Sequence, residues 1–106
     1  MSFKALAHSD PRAAILSAWL PVEIELNAIA KKSGAAVFTT LIKQVGQLHQ
    51  QGILDDLLAD TLMNLRRIRN TAVHVTEENV SFDDAINMAA MCQWATVQLK
   101  GINENL

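Results

Sequence analysis

Apolar residues recur at spacings of three and four along most of this chain and almost nowhere alternate, which is the signature of helices packed on one face. Ile15, Trp19, Val22, Leu26 and Ile29 share such a face. Asp10 followed by Pro11 marks its start, because a carboxylate accepts from the free N–H groups of a first turn and proline at the first helical position forfeits no bond. Ser33-Gly34, just after Lys32, marks its end. Pro21 lies inside the pattern and removes the donor for the Ser17 carbonyl, so a kink is expected there. A second helix is expected from about Val37 to Gln50 on Phe38, Leu41, Ile42, Val45 and Leu48, stopped by Gly52. The third begins near Ile53 or Leu54, with Asp55 and Asp56 in its first turn and three arginines in its last, which suits the helix dipole at both ends. Leu58, Leu62, Leu65 and Ala72 give it an inward stripe. Ser81, with Asp84 three residues on, resembles a capping box and opens a fourth helix through Phe82, Ile86, Ala89, Trp94, Val97 and Leu99 to Gly101. Ile102 to Leu106 are expected to fray.

Four helices with short connections predict an all-α fold, an antiparallel bundle of four principal helices. They form a single helical domain with an ordered core over about residues 10–101. The strand signal is confined to Ala72-Val73-His74-Val75-Thr76, and no internal repeat or linker interrupts the chain. Apolar residues outnumber polar ones from Pro11 to Ala30 and again from Phe82 to Leu99, a wider distribution than one buried stripe requires. The excess predicts a homodimer through the first and fourth helices.

Composition narrows the functional classes. Hydrophobic residues make up 50% of the 106 positions and charged residues 19%, which excludes a disordered or fibrous chain. A formal charge of −2 is incompatible with a broad electrostatic grip on nucleic acid, so any such contact must be local. Cys92 is the single cysteine and has no intramolecular partner, and a cytoplasmic, reducing compartment is expected. The amino terminus shows no continuous apolar leader. The apolar stretch from Ile15 to Val22 is broken by Ser17 and followed by Glu23 and Glu25, so no membrane association is expected. Trp19 and Trp94 read as core or interface anchors, and Met88, Met91 and Cys92 as packing. His8 and His49 stand apart from carboxylate clusters, and no glycine-rich phosphate loop is present; neither a metal nor a cofactor is expected.

The chemistry concentrates in Arg66-Arg67-Ile68-Arg69-Asn70-Thr71-Ala72-Val73-His74. Guanidinium groups present permanent charge and planar donor forks to phosphate, and imidazole moves protons near neutral pH. On a helix of about 100° per residue, Arg69 lies roughly 40° from Leu65 and so points inward, where an unpaired charge is costly and acceptors must be found. A carboxylate, a carbonyl or a bound phosphate would serve. His74 would point roughly 140° away from Arg69 on an unbroken helix. Convergence therefore requires the helix to end near Val73, as its β-branched neighbours suggest, or the two groups to meet across subunits. Asn70, one turn before His74, is placed to fix its tautomer or to touch a ligand. In the competing structural reading, Arg66 and Arg67 complement the helix end and pair with Glu77, Glu78 or Asp83, and His74 is a cap.

The string from Arg69 to His74 fits R-N-x-x-x-H and resembles the signature of the HEPN superfamily, the higher eukaryotes and prokaryotes nucleotide-binding domains. The segment Asp10-Pro11-Arg12-Ala13-Ala14-Ile15-Leu16-Ser17-Ala18-Trp19 is also similar to the opening helix of bacterial members. The resemblance implies a small helical dimer whose two motifs face one cleft. In active members it implies a metal-independent endoribonuclease of toxin or defence type. His74 would then be general acid or base, Arg69 the transition-state stabiliser and Asn70 the orienting group, with Arg66, Arg67 and Arg69 holding phosphate. Partners would be RNA and an antitoxin or regulatory protein. A second implied reading is a non-catalytic regulatory module that binds protein, resembling the mannitol operon repressor group.

Overall fold

The computed structural model describes residues 2–34, 40–74 and 79–106, and it is all-helical. Five helices follow in order: α1 (Phe3–Ser9), α2 (Pro11–Lys32), α3 (Leu41–Gln50), α4 (Asp56–Val73) and α5 (Phe82–Glu104). Local caps set most boundaries. Asp10 Oδ1 accepts from the Ala13 N–H at 3.1 Å and Asp55 Oδ1 from the Leu58 N–H at 2.8 Å. Ser81 and Asp84 exchange the two bonds of a complete capping box at 3.0 and 2.9 Å. Beyond α3, Gly52 takes a left-handed φ of 76°, which lets the chain reverse while the Ile53 N–H returns to the Leu48 carbonyl at 2.9 Å.

The core is continuous. Ile15, Trp19, Val22, Leu26 and Ile29 of α2 are buried against Ala85, Met88, Cys92, Ala95 and Leu99 of α5, and Leu58, Leu62, Leu65 and Ala72 of α4 close the third side. The expected stripes of α2 and α4 are therefore the observed ones. That of α5 is not: Trp94 and Val97 are exposed, and smaller residues face the core in their place. In a helix apolar on several sides, periodicity does not select the buried face. Close approach of α5 to α2 is set instead by Ala85 and Ala95.

Several expectations are corrected. The ordered chain begins before residue 10, because Ser2 caps α1 through the Ala5 N–H at 3.1 Å and Ala7 is fully buried. It also continues past Gly101, since α5 runs to Glu104, so the expected fraying from Ile102 does not occur. The described part of the second helix starts at Leu41 behind an N-cap at Thr40; Val37 and Phe38 lie outside the described residues. Helix α4 starts at Asp56, two or three residues later than expected. It extends to Val73, so the arginines precede its last turn.

The first and fourth predicted helices, α2 and α5, run in the same direction. Ile15 and Met88, near their beginnings, line one cleft, while Lys32 Nζ donates to the Asn103 carbonyl at 3.0 Å near their ends. The cause is the shortness of α3, which spans about 15 Å at about 1.5 Å per residue and folds onto α4 as a hairpin instead of traversing the bundle. Pro21 lies within one uninterrupted α2, on its exposed side. By length and composition α2 is also apolar enough to cross a membrane, which the interval from Ile15 to Val22 alone does not register; its buried face is the surface on which α1, α4 and α5 pack.

Candidate functional site

The C-terminal end of α4 carries the arginine, asparagine and histidine picked out by sequence, and the structure divides them by face. Arg69 continues the stripe of Leu58, Leu62 and Leu65 to the edge of the core, where it is half-buried. Its Nη1 donates to Asn70 Oδ1 at 3.2 Å, its only hydrogen bond among the described residues. The guanidinium lines an open, mostly apolar groove of about 450 Å³ with Leu16, Trp19, Leu20 and Glu23 of α2 and Val73 of its own helix. Arg66, one turn earlier, is half-buried and makes no hydrogen bond or ion pair among the described residues.

Arg67 does not join this group. It projects from another side of α4, bonded to Asn64 Oδ1 at 2.8 Å, and lines a separate cleft with Ile68, Thr71, Asp84 and Met88. Two residues along a helix turn the side chain by about 200°, so Arg67 and Arg69 cannot cradle one small anion from a straight α4. Of the three arginines expected to hold phosphate, only Arg66 and Arg69 therefore lie on neighbouring sides of α4. No ion pair forms with Asp83, and Glu77 and Glu78 lie outside the described residues.

His74 is the C-cap of α4. Its backbone turns extended, at φ −85° and ψ 123°, while its N–H still donates to the Asn70 carbonyl at 3.2 Å. The helix therefore ends where convergence of His74 with Arg69 required it to end. The imidazole is exposed and makes no hydrogen bond among the described residues. Arg69 and Asn70 are brought into contact; the His74 ring is left to solvent.

The residue missed by sequence reasoning is Arg12. Its Nη1 donates to the carbonyls of Thr71 at 3.1 Å, Ala72 at 3.4 Å and His74 at 3.0 Å. These are among the last carbonyls of α4, which have no helical donors of their own and carry the negative end of the dipole, so a guanidinium is a matched cap. Arg12 thereby fixes the backbone from which His74 projects. No local spacing marks this role, because the carbonyls it holds lie 59 to 62 residues along the chain.

Among the described residues, no group of three or more His, Cys, Asp or Glu side chains is arranged to hold a metal ion. Cys92 is buried on the core side of α5, and loss of hydration pushes its thiol up to about 12. No curated protein and no solved structure is a significant match to the chain. Residues 3–98 match the model of the family described as Domain of unknown function (DUF4145), and the chain belongs to that family.

Proposed function

We propose that the C-terminal end of α4 engages the phosphate of RNA or a nucleotide in the manner of a HEPN domain. The observation that carries the reading is the Arg69 guanidinium, held by Asn70 at the mouth of an open groove, with an exposed His74 at the same helix end. Arg69 has five N–H donors and spends one on Asn70, which leaves donors for an anion. Arg66, one turn away and without a partner among the described residues, adds a second positive charge.

Chemistry follows from these positions as metal-independent cleavage of RNA. The His74 ring takes the proton from a ribose 2′-hydroxyl or gives one to the leaving oxygen, a contribution of about 10²–10⁴-fold for groups of this kind. Arg69 stabilises the charge that accumulates on the phosphorus oxygens, and the product is a 2′,3′-cyclic phosphate. Incubation of the purified chain with RNA in the presence of chelator should give such ends, and His74→Ala should abolish them while shifting the melting temperature by only a few degrees. RNA left intact by the unsubstituted chain, or cut equally by His74→Ala, rejects the nuclease reading.

A second reading, a non-catalytic module that binds protein, is favoured by the exposed Ile42 and Leu57 on the α3–α4 hairpin, away from Arg69. Capture of one protein by the chain, retained in Arg69→Ala and lost in Leu57→Asp, would rank this reading first.

A further inference from the structure

We infer that the cleft where the beginnings of α2 and α5 meet the end of α4 binds a free α-amino acid with an apolar side chain. It is the cleft that holds Arg67, which the turn of α4 separates from Arg69 and which the phosphate reading leaves without a task. Its volume is about 250 Å³, below the roughly 300–1,000 Å³ of clefts that take drug-sized ligands, so its occupant has few heavy atoms. The floor is apolar. Ile15 and Met88 are buried there, and Ile68 and Met91 are half-buried beside them. The two thioethers adapt in shape, which suits an aliphatic or thioether side chain laid against them.

The charges at the rim select the other end of the ligand. Arg67 lines the cleft from α4 and Asp84 from α5, and no ion pair joins them among the described residues. The guanidinium spends one donor on Asn64 Oδ1. The carboxylate accepts from the Ser81 N–H through Oδ2, and its Oδ1 takes no hydrogen bond among the described residues. Asn87, one turn after Asp84, adds an amide that also has no hydrogen bond among them and can either donate or accept. A molecule with only a carboxylate suits Arg67 but meets Asp84, and one with only an amine suits Asp84 but meets Arg67. A hydrocarbon leaves both charges unused. An α-amino acid carries carboxylate, ammonium and apolar side chain on a single carbon, so that guanidinium, carboxylate and floor are each matched by one of its three groups.

The test follows the methionine methyl resonances of the full chain, without RNA, and is therefore independent of the phosphate reading. L-leucine at millimolar concentration should shift the Met88 and Met91 methyls saturably and leave that of Met63, which lies on the α3–α4 side, in place. Isocaproate, which lacks the amine, and isoamylamine, which lacks the carboxylate, should each bind at least about tenfold more weakly, because each leaves one rim charge unmatched. Asp84→Asn keeps an acceptor for the Ser81 N–H and should bring isocaproate level with L-leucine, and Arg67→Gln should do the same for isoamylamine. Arg69→Ala and His74→Ala should bind L-leucine as the unsubstituted chain does. Methyls of Met88 and Met91 indifferent to L-leucine overturn the proposal. Equal affinity for the amino acid and its two singly charged analogues overturns it too, as does selectivity unchanged in either rim variant. The series of analogues on the unsubstituted chain decides even where a variant fails to fold.

Discussion

The two ends of α4 are held in opposite ways. At the start, Asp55 accepts from an N–H three residues away, and the cap is complete within one turn of chain. At the finish, the carbonyls of Thr71 and His74 are gathered by Arg12, which is 59 and 62 residues distant. A local cap forms as soon as its helix does, while a distant one exists only after α2 has docked. The end that carries Asn70 and His74 is therefore tied to the tertiary fold, and the opposite end to its own sequence.

Substitutions sharpen or break this contrast. The largest effect is expected at Leu62, fully buried midway between the ends, where Leu62→Ala should cost about 2–5 kcal/mol in chemical denaturation and loosen both ends together. Arg12→Ala comes next, at about 1.5–3 kcal/mol for hydrogen bonds made by a charged donor. Its hydrogen-exchange signature should be confined to residues 70–74, with the Asp55 end undisturbed. Asp55→Ala should cost about 1 kcal/mol and accelerate exchange only near Leu58. Equal acceleration at both ends in either variant would erase the distinction. The smallest change is expected for His74→Ala, within about 0.5 kcal/mol, because an exposed ring without partners among the described residues contributes little to folding.

Legibility in the sequence follows the same division between near and far. Asp10, Asp55 and Ser81 announce their helices because the bonds they make span three residues. The buried stripe of α4 is readable because its opposite face is mostly polar, and that of α2 because Ile15, Trp19, Val22, Leu26 and Ile29 keep a three- and four-residue spacing although Leu20 and Ile24 lie exposed on the other side. On α5, Trp94 and Val97 mislead because large apolar residues occupy every side, and only the tight approach to α2 selects Ala85 and Ala95. The parallel course of α2 and α5 depends on how far α3 reaches, which periodicity does not report. At the candidate site, Arg69 reads correctly as inward from its offset to Leu65. Arg67 misleads, since adjacency in sequence is separation around a helix, and Arg12 has acceptors that no spacing rule reaches.

Cys92 gives the molecule a built-in clock for its own unfolding. It is the chain's single thiol, buried in the interface of the two longest helices at the floor of the groove between them, so a thiol reagent meets little sulfur until that interface opens. Labelling rates in the native state should accordingly equal the intrinsic reactivity of the opened thiol scaled down by the opening equilibrium. Alkali should hasten the clock. A thiol that ordinarily ionises at 9.0 and is pushed to about 12 by burial contributes its stability in full below pH 9.0, and that contribution drains away as pH climbs toward about 12, because the unfolded chain gives up the proton first.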